Sequence, residues 1–268
     1  MDKKVVLITG GSSGIGKAIG EYLTEKAYKV YGTSRNLETI KESYNFELLE
    51  LNVSNTDTID KCVTYIIKKE GKLDILINNA GVGITGPIEE TPISEINKAF
   101  DINFNGPIRL IQAVLPQMRK QNSGLIINIT SIAGYMGLPY RGIYSATKGA
   151  LSIATEALRM ETKEFGIRIT DIAPGDFATN IANGRYHAPD GDKSNYNSYA
   201  KVLEMINNDV NSAQDPIEVA KKVFAISKKN KPKVHYAVGV FLQKLSLILK
   251  KILPNRMYEK LLLNHYKL

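Results

Sequence analysis

The stretch that decides the fold lies at the start of the chain, where an apolar run meets a glycine-rich turn: Val5-Val6-Leu7-Ile8-Thr9-Gly10-Gly11-Ser12-Ser13-Gly14-Ile15-Gly16. An amphipathic segment near residues 14–26 follows directly. The apolar run predicts a strand that is covered on both faces. Gly10, Gly14 and Gly16 allow a tight turn in which backbone N–H groups approach a bound anion. The order of strand, glycine turn and helix is typical of a dinucleotide-binding unit.

Strand-like and helix-like segments alternate along the chain. Apolar, β-branched runs predict strands at 4–9, 28–34, 46–51, 74–78, 124–130 and 167–173, with a late strand near 233–239. Amphipathic segments predict helices near 14–26, 56–70, 92–120 and 143–165. The alternation predicts a single α/β domain, with a doubly wound parallel β-sheet that is Rossmann-like and has helices on both faces. We expect this domain to span residues 1–240 and to include an irregular region at 176–200. We also expect a substrate lid over 176–215 and a helical extension over 241–268, called the tail below.

The composition excludes several classes of protein. The chain has 268 residues, of which 43% are hydrophobic, one is cysteine and three are histidine. The single cysteine, Cys62, cannot form an internal disulfide, and the histidines are scattered, so neither a disulfide framework nor a metal site is expected. The first apolar run is too short for a signal peptide, and no apolar stretch is long enough to span a bilayer. We therefore expect a cytoplasmic location.

The charge is distributed unevenly along the chain. The formal net charge is +8, but residues 221–268 carry 12 Lys and Arg and one acidic residue, Glu259. The first 220 residues carry 23 basic and 26 acidic side chains and are therefore slightly acidic. A domain with this balance is not typical of nucleic-acid-binding proteins, so no nucleic-acid partner is expected.

Four further segments follow the glycine turn in a fixed order: Asn78-Asn79-Ala80-Gly81, Asn103, Ser131 with Tyr144-x3-Lys148, and Pro174-Gly175. Together with Gly10-x3-Gly14-x-Gly16, they resemble the short-chain dehydrogenase/reductase family in its single-domain form, over residues 3–240. Each motif alone is weak, but five in this order make a chance match very improbable. The resemblance implies hydride transfer between a nicotinamide dinucleotide and a small-molecule carbonyl or alcohol, in a homodimer or homotetramer.

The resemblance implies four catalytic residues: Ser131, Tyr144, Lys148 and Asn103. A free phenol has a pKa of about 10 and exchanges protons poorly at neutral pH. Tyr144 and Lys148 share one face of a helix, where an ammonium lowers the pKa of the phenol. Tyr144 can then give a proton to a carbonyl oxygen, or take one from the alcohol in the reverse reaction. Ser131 is expected to hydrogen-bond that oxygen, and Asn103 to hold a water that connects Lys148 to solvent.

Other assignments are compatible with parts of this pattern. Ser131 could be the nucleophile of a Ser-His-Asp hydrolase, but no Gly-x-Ser-x-Gly turn surrounds it and no histidine lies in the core segments. A non-catalytic dinucleotide-binding sensor or scaffold would share the fold, but it has no need of an acid/base tyrosine. Asn105 is an alternative to Asn103, although the spacing to Gly106 favours Asn103.

The end of the second strand bears on the choice of cofactor. Where NAD-preferring members of the family carry an acid, this chain has Ser34 followed by Arg35. A guanidinium can hold a ribose 2′-phosphate through several donors, so we predict NADP(H) over NAD(H). The predicted cofactor-binding residues are Gly10, Ser12, Ser13, Gly14, Ile15, Gly16, Ser34, Arg35, Asn52, Val53, Asn79, Ala80, Gly81, Tyr144, Lys148, Pro174, Gly175 and Thr179.

The assignments of Asn52 and Thr179 to the cofactor site rest on the resemblance alone. Asn52 stands where the family usually has Asp in contact with the adenine amino group, and its amide oxygen can accept the same hydrogen bond. Thr179 follows Pro174-Gly175 at the spacing of a threonine that contacts the nicotinamide carboxamide.

The segments that line the substrate site in the family are apolar and aromatic in this chain. They contribute Val82, Ile84, Ile132, Tyr135, Met136, Leu138, Tyr140, Phe177, Ile181 and Tyr186. These segments contain no cluster of charged groups. We therefore predict a lipophilic substrate: a steroid, a retinoid, a long-chain 3-keto lipid or a xenobiotic carbonyl. A sugar or an acyl-carrier thioester remains an alternative, and several of these residues could simply pack the lid.

Residues 241–253 predict an amphipathic helix, which Pro254 ends. At 100° per residue, one arc holds Phe241, Leu242, Leu245, Ile248, Leu249, Ile252 and Leu253, and Gln243, Lys244, Ser246, Lys250 and Lys251 lie opposite. Met257, Leu261 and Leu262 indicate a second short helix. Three contacts remain open for the apolar face: the body of the protein or its pocket, a partner subunit, or a membrane surface with anionic lipid.

Overall fold

The computed structural model describes residues 3–177, 184–189, 193–211 and 214–268, with side chains to 208 in the third segment. The strands are β1 (Val5–Ile8), β2 (Lys29–Ser34), β3 (Glu47–Glu50), β4 (Ile75–Asn78), β5 (Ile84–Thr85), β6 (Gly124–Ile129), β7 (Ile167–Pro174), β8 (Tyr186–His187) and β9 (His235–Val238). Seven of them form one parallel sheet in the order β3-β2-β1-β4-β6-β7-β9, and β5 and β8 form a separate parallel pair. The strand order reverses between β1 and β4, which is where ligands bind in sheets of this kind.

The helices are α1 (Gly14–Glu25), α2 (Thr56–Glu70), α3 (Ile93–Phe100), α4 (Gly106–Gln121), α5 (Gly142–Glu161), α6 (Tyr199–Asn211), α7 (Ile217–Ser227), α8 (Phe241–Ile252) and α9 (Asn255–Tyr266). Short 3₁₀ turns lie at Ile88–Glu90, Ile132–Tyr135 and Lys163–Phe165. α2 packs on one face of the sheet together with α4, and α1 packs on the other together with α7. The predicted doubly wound, Rossmann-like fold in a single domain is confirmed.

Alternate residues of β1 enter two separate cores. Val5 and Leu7 pack among residues of α2 and α4, whereas Val6 and Ile8 pack among residues of α1 and α7. Every residue of β1, β4 and β6 is buried. A strand that is covered on both faces favours apolar side chains, which explains the apolar runs in the sequence. The buried Asn78 of β4 and Asn128 of β6 are exceptions, and they hydrogen-bond each other at 2.9 Å.

The helix predicted near 92–120 contains an irregular turn. α3 ends at Phe100, α4 begins at Gly106, and Asp101–Asn105 form a π-helical turn between them. A π turn widens the helix locally and is often found at functional sites. Here Asn103, inside the turn, is completely buried.

The tail forms α8 and α9 and packs against the body on one side only. Leu247 and Leu249 of α8 contact a cluster that contains Ile132 and Met136 from the 3₁₀ turn after β6 and the residue next to it. Tyr258 of α9 is buried in the same cluster. Within the part of the chain that the structure describes, no helix is both long and apolar enough to cross a membrane.

Candidate active site

The glycine turn lies between β1 and α1 at the carboxyl edge of the sheet. Gly10 and Gly14 have positive φ angles of 64° and 52°, a conformation that glycine adopts without steric cost. The Gly10 and Gly11 amides donate to Thr33 at the end of β2, at 3.3 and 2.8 Å. A Cβ atom on Gly11 would lie 2.7 Å from the Cα of Gly32, so the turn also needs glycine to approach β2.

Asn79 and Ala80 hold the glycine turn from the neighbouring strand. The Asn79 side-chain amide donates to the carbonyls of Thr9 and Gly10 at 3.0 and 3.1 Å. The buried Thr9 hydroxyl accepts from the Asn79 and Ala80 amides, both at 3.0 Å. Both residues were predicted to bind a cofactor, and the structure shows them fixing the turn on which a cofactor phosphate would rest.

The start of α1 fits a pyrophosphate. Ser13 is the N-cap residue, its side chain makes no capping hydrogen bond, and the first turn contains no acidic residue. The free N–H groups and the positive end of the helix dipole are therefore available to an anion. A Cβ atom on Gly16 would come within 2.5 Å of the Asn79 amide nitrogen, so only glycine fits there. Ser12 and Ile15 are partly exposed at the same helix end.

Ser34 and Arg35 lie where β2 ends, close to the glycine turn. Thr33, which holds Gly10 and Gly11, directly precedes them. The Ser34 hydroxyl donates to the carbonyl of Asn36 at 3.2 Å, and Arg35 is exposed. An exposed guanidinium at this edge fits a phosphate on the adenosine ribose.

Asn52 and Val53 shape the loop that follows β3. The Asn52 amide oxygen accepts from the backbone of Ser54 at 3.1 Å and keeps a second lone pair for another donor. The Val53 side chain is buried, and its carbonyl accepts from Arg109 on α4 at 3.3 Å. Both positions therefore face the carboxyl edge from a loop that local hydrogen bonds hold in place.

Asn103 joins the π turn to two other elements. Its Oδ1 accepts from the Val82 amide at 2.8 Å, and its Nδ2 donates to the Val82 carbonyl at 2.9 Å and to the Thr147 hydroxyl at 3.1 Å. The Thr147 hydroxyl in turn donates to the carbonyl of Tyr144 at 2.8 Å. Asn103 thus fixes the loop after β4 against α5, whereas the alternative residue, Asn105, is exposed.

Tyr144, Lys148 and Ser131 come together where α5 meets the end of β6. Lys148 is buried, and its Nζ donates to the carbonyl of Ile129 at 3.0 Å. Ser131 is buried at the start of the 3₁₀ turn after β6, and its hydroxyl interacts with the Tyr144 hydroxyl. A Cβ atom on Gly81 would lie 3.3 Å from Lys148 Nζ, which places Gly81 beside the ammonium.

Burial shifts the pKa values of both ionisable groups on α5. It lowers the pKa of Lys148 from 10.5 to about 8, because desolvation disfavours the ammonium. It raises the pKa of Tyr144, while the guanidinium of Arg141 and the hydroxyl of Ser131 favour the phenolate and act in the opposite direction. The net rise in the pKa of Tyr144 is the reverse of the lowering expected from Lys148. Perturbed pKa values of neighbouring groups are nevertheless typical of functional sites.

Two arginines that the sequence did not single out lie beside Tyr144. The Arg141 guanidinium is 5.6 Å from the centroid of the Tyr144 ring. Arg185 is buried, donates to the Asn207 side chain at 3.2 Å, and also favours the Tyr144 phenolate. The surroundings of Tyr144 are therefore more positively charged than the sequence predicted. The spacing of three residues to Tyr144 was a signal for Arg141, whereas Arg185 is brought near by the pairing of β5 with β8.

The residues predicted to line the substrate site have different surroundings. Phe177 is buried in the core beneath α1 and α7, and Ile132 and Met136 pack against the tail. Tyr135 belongs to a buried polar network. The predicted position Ile181 lies outside the described residues. Several of these side chains therefore pack the structure, which was the alternative to substrate contact.

The polar network contains serine, histidine and aspartate, but not in the arrangement of a hydrolase. The buried carboxylate of Asp171 accepts from Ser152 at 2.7 Å and contacts His235 Nδ1 at 2.8 Å. In a catalytic triad the serine and the acid bind opposite nitrogens of the histidine. Here Ser152 also lies at Nδ1, at 3.5 Å, and Glu156 takes Nε2 at 3.1 Å. Among the described residues, no group of His, Cys, Asp and Glu could hold a metal ion.

Pro174 and Gly175 end β7 at the same edge of the sheet. The Gly175 amide donates to the Val238 carbonyl of β9 at 2.8 Å. The next residue, Asp176, accepts from the side chain of Gln243 on α8 at 2.7 Å. Thr179, predicted to contact the cofactor, lies outside the described residues. The described residues of the predicted site thus share one edge of the sheet, built from the ends of its strands and from α1 and α5.

A sequence model of a known family matches this arrangement. The model described as short chain dehydrogenase covers residues 4–190, which include the glycine turn, Ser131, Tyr144 and Lys148. The chain belongs to the short-chain dehydrogenase/reductase family. The protein is therefore an oxidoreductase, and its fold binds a nicotinamide dinucleotide.

Relatives from bacteria and mammals align with most of the length of this chain. A 3-ketodihydrosphingosine reductase from Bacteroides thetaiotaomicron is 36% identical over 264 residues, which cover 97% of this chain and 96% of that protein. A 17-beta-hydroxysteroid dehydrogenase type 1 from Mus musculus is 32% identical and aligns with 88% of this chain and 74% of its own length.

Solved structures of the family superpose closely. A short-chain dehydrogenase from Streptomyces avermitilis has a TM-score of 0.80 and 30% identity, with 94% of this chain and 96% of that chain covered. ElxO with NADP bound has a TM-score of 0.73 and 30% identity, with 88% and 97% covered. A family member from Burkholderia phymatum in complex with NAD has a TM-score of 0.75 and 25% identity, with 87% and 89% covered.

Proposed function

We propose that this enzyme reduces a lipophilic ketone with NADPH, or oxidises the corresponding secondary alcohol with NADP⁺. The observation that carries the proposal is the meeting of Tyr144, Lys148 and Ser131 at the carboxyl edge of the sheet, the edge that also carries the glycine turn. A non-catalytic sensor on the same fold has no use for a buried lysine, Lys148, one helical turn from Tyr144.

The chain's own residues account for binding of the dinucleotide. The N-terminus of α1 would receive the pyrophosphate, and Gly10 and Gly11, whose own amides donate to Thr33, hold the turn in position for it. Arg35 would hold the ribose 2′-phosphate, and Ser12 and Ser13 would add hydroxyl donors, whereas the Ser34 hydroxyl donates to the carbonyl of Asn36. The NADP-bound ElxO supports this preference, and the NAD complex of the Burkholderia phymatum protein shows that the fold itself accepts both cofactors.

When bound, the cofactor supplies or accepts the hydride at the substrate carbon. Ser131 donates a hydrogen bond to the carbonyl oxygen and holds it beside Tyr144. Tyr144 donates its proton to that oxygen during reduction and takes it back during oxidation. Lys148, when charged, stabilises the phenolate that remains, and Arg141 acts in the same direction. Asn103 positions α5 and the loop after β4, so that these groups stay in register.

Of the predicted apolar lining, Val82 and Tyr186 are partly exposed and lie in none of the core clusters, and they favour a lipophilic substrate of the steroid or long-chain 3-keto lipid type. The names of two relatives refer to a ketodihydrosphingosine and to a hydroxysteroid, and both support this class. The proposal also includes a homodimer or homotetramer, a cytoplasmic location, and a lid within 176–215 that closes over the substrate.

A ketone panel tests the proposal. NADPH oxidation should be measured with steroid ketones, long-chain 3-keto lipids, sugars and acyl thioesters, each also with NADH. We expect turnover of the lipophilic ketones and a higher kcat/KM with NADPH than with NADH. The Tyr144→Phe enzyme serves as the blank. Turnover of polar carbonyls alone would refute the substrate class, and cofactor binding without turnover of any ketone would favour the sensor.

A further inference from the structure

The outer surface of the tail is apolar although its helices are well packed on the inner side. Six large side chains on α8 and α9 point to solvent and form what is called here the docking band. Their exposed fractions are 73% for Phe241, 73% for Leu242, 55% for Ile248, 67% for Ile252, 56% for Met257 and 46% for Leu261. Apolar surface that stays together on one side of a protein usually marks an interaction site.

The orientation of α8 is fixed by the contacts that it makes with the body. Leu247 and Leu249 pack into the cluster with Ile132 and Met136. Gln243 donates to Asp176, and the Lys250 ammonium lies 5.1 Å from the centroid of the Tyr258 ring. The helix therefore cannot turn the docking band inward without breaking these contacts. Of the three contacts that the sequence left open, packing on the body is confirmed for Leu249 and Leu253 and is wrong for Phe241, Leu242, Ile248 and Ile252.

Charge decides between the two remaining occupants of the docking band. Lys244 and Lys251 on α8 and Lys260 on α9 are exposed beside it. Residues 221–268 hold 12 basic side chains against Glu259 alone. A second copy would bring two such sets of lysines together, which opposes pairing. An anionic lipid surface complements them, since each Lys near such a surface gains about 1 kcal/mol.

We infer that α8 and α9 dock this enzyme on the surface of an anionic lipid bilayer. The docking band enters the boundary between headgroups and acyl chains, and the lysines meet the lipid phosphates. The same α8 packs on the 3₁₀ turn that Ser131 begins and contacts Asp176 next to Gly175. Docking therefore places the catalytic edge near the bilayer, which serves catalysis if the substrate is a lipophilic ketone as proposed above.

Co-sedimentation with vesicles tests the inference. The full chain should sediment with vesicles of phosphatidylcholine and phosphatidylglycerol, weakly with phosphatidylcholine alone, and less as salt is added. Ile248→Ser with Ile252→Ser should weaken binding roughly tenfold or more, because two isoleucines no longer enter the boundary. Lys244→Gln with Lys251→Gln should weaken binding to the anionic vesicles roughly tenfold.

Matched variants elsewhere on the surface control for loss of apolar area or charge in general. Ile93→Ser with Ile153→Ser removes two isoleucines that are 68% and 69% exposed on α3 and α5. Lys61→Gln with Lys68→Gln removes two exposed charges from α2. Both controls should bind vesicles as the unmodified chain does. Thermal unfolding and turnover of a water-soluble ketone verify that every variant is folded.

Several outcomes would overturn the inference. Failure of the unmodified chain to sediment with anionic vesicles would do so, as would equal binding by the docking-band variant and its control. A change of oligomeric state in the docking-band variant, seen by size-exclusion chromatography without vesicle binding by the unmodified chain, would assign the band to a second copy. Vesicle binding without turnover of any ketone would uphold docking and refute the proposed function. Turnover of lipophilic ketones without vesicle binding would uphold the proposed function and refute docking.

Discussion

Helices α1 and α8 are both amphipathic, yet α8 buries only part of its apolar face. Ile19 and Leu23 of α1 are completely buried, whereas Phe241, Ile248 and Ile252 of α8 are more than half exposed. α1 connects two adjacent parallel strands, and such a crossover must lie flat on the sheet. α8 follows β9 at the edge of the sheet, and among the described residues no strand after it draws it back. A periodic pattern thus predicts a helix and its apolar face, while the neighbouring elements decide what covers that face.

The largest expected effect separates the catalytic body from the tail. Tyr144→Phe removes the proton donor and should lower kcat by about 1,000-fold, the scale of general acid catalysis. Vesicle binding by the tail and NADPH binding, followed by nucleotide fluorescence, should be unchanged. Residual kcat within tenfold of the unmodified enzyme would show that another group supplies the proton.

A matched pair of isoleucines compares the two helices directly. Ile19→Ala creates a cavity in the core and should lower the free energy of unfolding by about 3 kcal/mol. Ile248→Ala removes an exposed side chain and should change it by less than about 0.5 kcal/mol. Chemical denaturation in the absence of lipid measures both. An equal loss in the two variants would mean that α8 is covered in solution.

Cofactor choice belongs to the body and should not depend on the tail. Arg35→Ala removes charged hydrogen bonds to the 2′-phosphate, so kcat/KM for NADPH should fall roughly 30-fold, or about 2 kcal/mol. The value for NADH should stay the same, because that cofactor lacks the phosphate. Arg256→Ala on α9 is the matched control and should affect neither cofactor. A parallel loss with NADH would place Arg35 outside the 2′-phosphate site.

The smallest expected effect is a displacement of the pH profile. Burial raises the pKa of Tyr144, and the Arg141 guanidinium opposes that rise. The phenolate is the base in alcohol oxidation, so kcat/KM for the alcohol increases as Tyr144 loses its proton. Arg141→Gln should raise this pKa and move the increase to higher pH, whereas Lys244→Gln in the tail should leave it in place. A profile that does not move would mean that Arg141 acts only by packing on the ring.

The parts of the fold that local sequence determines were predictable. β1, β4 and β6 are mostly apolar because both faces are covered, and Gly10 and Gly14 occupy positive φ angles where the turn was expected. Residues Ser131, Tyr144, Lys148 and Asn103 were located by the family resemblance, and the structure brings them to one edge. Their catalytic roles remain predictions.

The parts that depend on distant contacts were not predictable. The π turn around Asn103 depends on hydrogen bonds to Val82 and Thr147, which lie on other elements. Arg185 approaches Tyr144 only because β5 and β8 pair across a long segment. The exposed side of α8 depends on which of its residues fit against Ile132 and Met136. None of these contacts leaves a periodic signal in the sequence.

The hydrogen bond from Gln243 to Asp176 joins the tail to the end of β7, at the edge of the sheet that carries the candidate site. It connects the first turn of α8 to the residue after Gly175, at the start of the segment predicted to cover the substrate. Deleting the tail would therefore remove this hydrogen bond as well as the lipid contact. Loss of activity in a truncated enzyme would therefore combine the effects of losing this hydrogen bond and of losing the lipid contact. Single substitutions on the outer face of α8, with Gln243 intact, are the changes that tell the two apart.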